Sequence, residues 1–543
     1  MQPTASMPGL AALPELVRRL GTRRVFAMLG ETNVGWVVQG LQDGAFDLVK
    51  TRHEETAMNA AAGYTRVTGE LGVCTVTRGP GFTNAVNALT AATQSHFPAL
   101  LIAAESPASR VRSNQNIAQE ALVAAIGAGF HHVADGADLE ATFFAAAEAA
   151  RFSGIPQVLS IGDGVLEGTV PLTGRGPAAS VPTPPDPDAV RAAVDALAAA
   201  ERPLLIAGQG AVLASCRKDL EHLATLTGAR VANTMRANSY FTGAPGNLGL
   251  CGSWASQRVR EELSTADVVF GVGASLNSWT LAEGTLFAGA KIIHCEIDVD
   301  QPCLATSPEL ALFGDARDVI RALIDEWESR GIGAASTPVK TLTPQQIRDA
   351  VLEVDLGHDA SRGLDPRHLY TALDAQLPAD RIVVTDVGRF IRTLPTLLPA
   401  RDAESWIVGQ GHGSVGLGLG LAIGAAAGCP DRPVVLVCGD GGFMMTSHDL
   451  DSVVVNSLDL TVVVVDDEQL GQEARHLRAH GLPLDVLHSP MPDVPKLAEA
   501  LGGRGHVIRT QEDLDALPLG ARSGLTILDV RVDPQVDLQA VYS

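Results

Sequence analysis

The sequence predicts an α/β protein made of three doubly wound parallel-sheet domains, and three observations carry that reading. The first is the stretch Pro433 to Leu470, where two β-branched apolar runs flank a helix-length segment and each ends in a turn bearing carboxylates. Strands covered on both faces are continuous apolar runs of this kind, as in a parallel sheet. The second is the repetition of strand, glycine turn and helix along nearly the whole chain, which is the pattern of β-α-β units. The third is length: 543 residues exceed one core and suggest about three domains at roughly 150 residues each.

Taken in order, Leu10 to Leu20 is amphipathic, Arg24 begins a strand, Gly30 turns, and Val34 to Leu41 returns as a helix. Arg52-His53-Glu54-Glu55 forms the next turn, and the alanine-rich run Thr56 to Thr68 a helix, so both glutamates sit where the helix dipole favours carboxylates. Gly72 to Thr77 is a buried strand, followed by the donor-rich turn Arg78-Gly-Pro-Gly-Phe-Thr-Asn84. Six prolines between Pro171 and Pro187 mark a linker. A second unit follows, with strands Pro203 to Ala207, Asp267 to Val272 and Lys291 to Ile297 ending in Asp298, and turns Gly208-Gln-Gly210 and Gly273. A break covers about 330 to 364. The third unit starts at Pro366, with strand Arg381 to Thr385, the glycine-rich Gly409 to Gly424 (its part Gly416 to Cys429 a tightly packed helix) and the two acidic turns. The predicted domains are 1–172, 188–330 and 365–543.

Composition narrows the function. A hydrophobic share of 46% and a charged share of 19% support buried cores, and a formal charge of −22 argues against nucleic acid or an anionic membrane as partner. Seven cysteines, odd in number and without a CxxC pair, indicate neither zinc nor a disulfide framework, so a cytoplasmic home is expected. No basic leader and no run of about 18 strongly apolar residues is present.

The glycines at 439, 441 and 442 let the backbone approach an anion, and Asp440 among them suits a hard divalent cation. Because both acidic turns follow parallel strands, they belong at one sheet edge, where such sheets place ligands. A magnesium diphosphate satisfies these features together. Isolated histidines (His53, His131, His132, His412) are more often structural and are not singled out as proton carriers. Gly409-Gln-Gly-His-Gly-Ser-Val-Gly also reads as a helix start or a dinucleotide loop, although no acidic residue ends a following strand at the distance a nucleotide fingerprint needs.

With these motifs in place the chain resembles the thiamine-diphosphate enzymes of the acetolactate synthase large-subunit type. Gly-Asp-Gly at 439–441 and Asp467 lie at the family's usual interval, 467 − 440 = 27 positions, and Arg-His-Glu followed by a Gly-Tyr-Thr-Arg helix and Gly79-Pro80-Gly81-Phe82-Thr83-Asn84 comes in the expected order. The resemblance covers nearly the whole chain. It implies pyrimidine-binding, central and diphosphate-binding domains in that order, thiamine diphosphate with Mg2+, and a site assembled between two subunits of a homodimer or homotetramer. It implies Asp440, Asp467 and the Gln469 carbonyl as metal ligands, and the turn glycines 439, 441 and 442 against the diphosphate. Glu54 would face N1′ of the aminopyrimidine, with adjacent Glu55 pointing elsewhere as an exposed first-turn residue. Val415 would wedge the two rings, flanked by the Gly413 carbonyl. Gln119 would lie near the substrate, and Gly388-Arg389 would reach the diphosphate, unless Arg389 is an ordinary surface arginine.

The chain also departs from that family. Asp466-Asp467-Glu468 stands where an Asn-Asn pair is usual, Gln472 to Leu477 lacks the synthases' Met, Arg and Trp pattern, and Phe82 replaces a small residue. Gly273-Ala-Ser-Leu-Asn-Ser stands where FAD-binding synthases carry an Arg-Phe-Asp-Asp type run, so FAD is not expected. The leading expectation is a carboligase or C–C cleaving enzyme, a transferase or lyase acting on a 2-oxo acid or related small carbonyl donor. Simple 2-oxo acid decarboxylation is the near alternative. A nucleotide-binding oxidoreductase and a catalytically silent paralogue are the alternatives of another class.

Overall fold

The computed structural model describes residues 5–106, 114–162, 164–174, 176, 184–297, 307–335, 341–409, 411–517, 519 and 524–542. Three six-stranded parallel sheets form the body of the molecule. The N-terminal sheet runs, edge to edge, Asp47–Lys50, Arg24–Ala27, Val73–Val76, Leu100–Ala104, Gln157–Ile161 and Gly129–Val133. The C-terminal sheet runs Trp406–Val408, Ile382–Thr385, Val434–Gly439, Leu460–Asp466, Leu525–Arg531 and Arg504–Ile508. Numbered by chain order within each, both sheets therefore follow 2-1-3-4-6-5. The central sheet follows 3-2-1-4-5-6, with Asn247–Leu250, Arg230–Asn233, Pro203–Ala207, Val268–Val272, Lys291–Glu296 and Leu310–Phe313.

By contacts the chain divides into two compact units. One comprises Met1–Ser180, Arg381–Gly388 and Ile407–Arg531, and the other Val181–Asp380, Arg389–Trp406 and Val532–Ser543. In the first unit, the helices Glu54–Thr68 and Gly418–Gly428 pack directly on each other. A Cβ added at Gly424 would lie 1.9 Å from the Ala60 carbonyl oxygen, and one at Gly63 2.2 Å from that of Leu421. Only glycine permits this approach, which explains why the stretch read as a tightly packed helix is so glycine-rich. Its consequence is that the helix opened by Glu54 and the helix following the Gly413–Gly416 turn share one buried seam.

The expected strands at 24, 72, 203, 267, 291, 381, 434 and 460 are present, most of them shortened by one residue or so. The segment between the two acidic turns is not one helix but three pieces, Asp440–Thr446, a 3-10 turn Ser447–Asp449 and Leu450–Val455. Three central strands, Arg230–Asn233, Asn247–Leu250 and Leu310–Phe313, and an antiparallel pair of Ala5–Pro8 with Thr169–Leu172 were not anticipated. That last pairing puts a short strand at the start of the expected Pro-rich linker. Residues 177–183 of the linker, and Asp298 at the end of its strand, fall outside the described residues. Among the described residues no helix is long and apolar enough to cross a membrane.

Candidate active site

The C-terminal sheet gathers its acidic residues at the carboxyl ends of three neighbouring strands. Asp386 follows Ile382–Thr385, Asp440 follows Val434–Gly439, and Asp466-Asp467 ends Leu460–Asp466. The first two strands are the point where the chain's strand order reverses, so the crevice they open is where doubly wound sheets bind ligands. Val434–Gly439 and Leu460–Asp466 pair in register from Val435↔Thr461 to Gly439↔Val465, which sets the two acidic turns side by side. Asp440 is buried, and burial together with the facing Asp467 carboxylate pushes its carboxyl well above the ordinary range. Two carboxylates drawn together against their own repulsion fit a divalent cation, which would remove that repulsion. Among the described residues no group of three or more His, Cys, Asp or Glu side chains converges as a metal site. A cation here would need phosphate, water or main-chain oxygen to complete its shell, as magnesium usually does.

Val415 and the acidic turn meet. The Val415 Cγ1 lies 3.1 Å from where a Cβ on Gly442 would stand, and Gly416 packs on Met445 and Thr446. Gly413 and Gly416 both have positive φ, 73° and 98°, so the backbone at this turn is one that glycine tolerates best. What fixes the turn is a residue that sequence reasoning missed, Asp386. Its carboxylate accepts from the N–H groups of Val387 at 2.8 Å and Gly416 at 2.9 Å, and its Oδ2 stands 2.5 Å from the Gly442 Cβ position. Burial raises its pKa to about 6 against these N–H bonds. The signal was available, since Thr385-Asp386-Val387-Gly388 repeats the strand, Asp, Gly pattern of Cys438-Gly439-Asp440-Gly441.

In the N-terminal sheet the sequence-selected residues also stand at strand ends. Glu54 opens its helix after Asp47–Lys50 and accepts from Asn84 Nδ2 at 3.0 Å, while its Oε1 faces the small space over Gly81. Glu55 is not the exposed residue expected. It is half-buried and accepts from Asn87 Nδ2, because the helix Pro80–Ser95 packs against this first turn. Asn87 Oδ1 in turn accepts from Ser414 Oγ at 3.0 Å, tying Glu55 through Asn87 to the Gly413–Gly416 turn of the same chain. Gln119 is buried at the start of its helix, its Nε2 donating to the Ala104 carbonyl at 2.8 Å and its Oε1 accepting from Ser160 Oγ at 3.3 Å. Gly388 sits two residues after Asp386. Arg389 is half-buried rather than a plain surface arginine, and its Nη1 donates to the Val536 carbonyl at 2.6 Å. Of the histidines, His53 caps the Glu54 helix by accepting from the Glu55 N–H at 3.2 Å, His131 meets Gln157, His132 meets Glu105, and His412 is exposed.

The fold and this strand-end geometry define a doubly wound α/β protein whose C-terminal sheet opens a crevice lined by carboxylates at its strand ends. Family models agree: residues 7–126 match the thiamine pyrophosphate enzyme N-terminal TPP binding domain, 190–323 the central domain, and 386–530 the C-terminal TPP binding domain. The chain is 31% identical to the probable 2-ketoarginine decarboxylase AruI of Pseudomonas aeruginosa, over 98% of this chain and 95% of that protein. It is 25% identical to a probable acetolactate synthase large subunit of Methanocaldococcus jannaschii (98% and 93% covered) and 27% identical to an acetolactate synthase of Mycobacterium avium (93% and 84%). The chain belongs to the thiamine pyrophosphate enzyme family. It is a thiamine-diphosphate-dependent carboligase or decarboxylase.

Proposed function

We propose that this enzyme, with thiamine diphosphate and Mg2+, cleaves a 2-oxo acid between its carbonyl carbon and its carboxylate. The resulting acyl unit is released as an aldehyde or handed to a second carbonyl compound. The observation that carries this reading is the meeting of Val415, Gly442, Asp440 and Asp467 at one edge of the C-terminal sheet. The bound cofactor supplies the electron sink for the carbanion left by decarboxylation.

Asp440, Asp467 and the Gln469 carbonyl are the proposed metal ligands, with the backbone at Gly439, Gly441 and Gly442 and at Gly388 on the diphosphate side. Val415 and the Gly413 carbonyl are proposed to hold the pyrimidine end, with Asp386 fixing the turn that presents them. Arg389 we leave outside this set, since its guanidinium already bonds the Val536 carbonyl. Glu54 is proposed to hold a proton at N1′ of the aminopyrimidine, the Asn84 amide orienting its carboxylate. Gln119 is proposed to line the substrate side, its carboxamide fixed by Ala104 and Ser160.

A single chain leaves apolar side chains exposed around the metal turn, namely Val415, Met444, Met445 and Leu470. Such a rim supports assembly with a second copy, whose Glu54 would complete the site. The higher identity to a decarboxylase, and the absence from Gln472 to Leu477 of the synthases' Met, Arg and Trp pattern, favour decarboxylation as the committed step.

The test pairs binding with turnover. Calorimetry should detect Mg2+-dependent binding of thiamine diphosphate, and CO2 release should be followed over a panel of 2-oxo acids. Glu54→Gln should keep binding while turnover falls by about 10²–10⁴. A wild-type chain that binds no thiamine diphosphate, or a Glu54→Gln enzyme with undiminished turnover, overturns the reading.

A further inference from the structure

The loop that carries Asp467 has three consecutive acidic residues, Asp466, Asp467 and Glu468, and one arginine stands against it. The C-terminal sheet pairs Asp466 directly with Arg531, the last residue of the neighbouring strand Leu525–Arg531, so the register itself brings the two side by side. Asp529, two positions earlier on that strand, shares its face with Arg531. The single guanidinium therefore meets three carboxylates: Nη1 lies 2.6 Å from Glu468 Oε1 and 3.0 Å from Asp466 Oδ2, and Nη2 lies 2.7 Å from Asp529 Oδ2.

Asp466 and Glu468 are the residues on either side of Asp467. Glu468 has φ of 53°, a left-handed conformation that favours glycine over a side-chain-bearing residue. It is held there from three directions: its N–H donates to Asp466 Oδ1 at 2.9 Å, its carboxylate is on Arg531, and its carbonyl accepts from the Ser489 N–H at 2.9 Å. Past it, Gln469 bridges antiparallel to His488. The backbone that must present the Asp467 carboxylate and the Gln469 carbonyl in one geometry is thus bent at Glu468, and Arg531 clamps the bend.

We propose that Arg531 is a positioning residue for the metal-binding loop: by bridging Asp466 and Glu468 it sets the turn that presents Asp467 and the Gln469 carbonyl, and it offsets the carboxylates of Asp466 and Glu468 that flank Asp467. The inference rests on the reading given under Proposed function, since it takes Asp467 and Gln469 as the metal's protein ligands. It also gives Asp466 and Glu468, the acidic residues on either side of Asp467, a counter-ion of their own. Arg531 itself touches neither metal nor substrate in this scheme.

The experiment is calorimetric titration of Mg2+ into the full-length chain in the presence of thiamine diphosphate, with circular dichroism reporting the fold. Arg531→Met should weaken Mg2+ about tenfold, the lower end for a residue that orients a metal ligand. Glu468→Ala cuts the same clamp while leaving the Arg531 contacts with Asp466 and Asp529 in place, and should weaken Mg2+ to a similar degree. Glu468→Gly relieves the bend and removes one carboxylate, so Arg531→Met in that background should lose much less than tenfold. Should Arg531→Met fail to fold, the contrast between Glu468→Ala and Glu468→Gly decides.

Folded Arg531→Met and Glu468→Ala proteins that bind Mg2+ as tightly as wild type overturn this inference alone. So does an Arg531→Met loss that is undiminished in the Glu468→Gly background, the result expected if Arg531 only stabilises the sheet. A wild-type chain that takes up no Mg2+ overturns both this inference and the reading it rests on.

Discussion

The glycine turns at the strand ends of the central sheet and those of the C-terminal sheet look alike in sequence and do opposite things. In the central sheet Gly208, Gly210 and Gly273 close on one another: Gly210 N–H donates to the Gly273 carbonyl at 2.9 Å, and a Cβ on Gly208 would fall 2.2 Å from that same oxygen. The room each glycine leaves is filled by the other turn's backbone. In the C-terminal sheet a Cβ at Gly441 would meet only the end of the Leu470 side chain at 3.1 Å, and Gly442 approaches the Asp386 carboxylate. There the glycines leave space beside carboxylates rather than closing it. The same residue type thus serves backbone packing in one sheet and a ligand edge in the other, and only the neighbours distinguish them.

Substitutions should separate these two uses. Asp440→Asn is expected to weaken Mg2+-dependent binding of thiamine diphosphate by more than about 100-fold, beyond the cost of disturbing an outer partner. Its metal-free unfolding should move the other way. Burial and Asp467 raise the folded pKa of Asp440 above its unfolded value, so its stabilising contribution is present at low pH and lost as pH rises through the folded pKa. At pH 8 the neutral amide should therefore give the metal-free protein the higher melting temperature. A lower one would show that Asp440 holds the turn together and would erase the contrast with the central glycines.

Gly208→Ala should do the reverse. Its Cβ collides with main-chain oxygen, which cannot swing aside as a side-chain end can, and overpacking of this kind costs about 2 kcal/mol. Denaturant unfolding should register that loss, while the protein that remains folded binds Mg2+ with unchanged affinity. A drop in metal affinity without loss of stability would mean that the central turns are not packing devices.

How much of this was legible in the sequence follows from how local each feature is. The acidic turns, the RHE turn and the glycine-rich helix are short, ordered motifs, and each stands where the spacing placed it. Asp386 was missed because its work is to accept N–H bonds from Val387 and Gly416, one of them a turn that returns to it only after thirty residues of chain. Arg531, unlike Asp386, has nothing near it in sequence to mark it, and only the pairing of Leu460–Asp466 with Leu525–Arg531 brings it to Glu468. Glu55 was misjudged because its exposure depends on the packing of a neighbouring helix that supplies Asn87. The three overlooked central strands are short, and in two of them Arg230, Asn233 and Asn247 at the ends obscure the apolar pattern.

The smallest expected effect lies in the central unit and separates the sheets by pH. His294, on the strand Lys291–Glu296, is buried, its Nε2 lies 2.9 Å from the Ala274 carbonyl, and Glu296 Oε2 is 3.9 Å away. A neutral ring donating from Nε2 satisfies that carbonyl. Burial, the larger cause, holds the pKa of His294 below its ordinary 6.5, while the Ala274 carbonyl pulls it partly back. For a base whose folded pKa is depressed, the contribution to stability is complete above the unfolded value and is lost as pH falls from there through the folded pKa. His294→Gln keeps a donor for Ala274 but cannot take up a proton. Its unfolding free energy, followed in urea between pH 8 and pH 5, should therefore fall less steeply on acidification than that of wild type, with the difference opening only below about pH 6.5. Parallel curves would mean that the ring titrates alike in the folded and unfolded chain, and a wild-type curve that gains on the variant's as pH falls would mean that the ring is protonated in the fold with Glu296 as its partner. The Val268–Val272 and Lys291–Glu296 strand ends would then carry a charge pair and lose their contrast with the acidic edge of the C-terminal sheet.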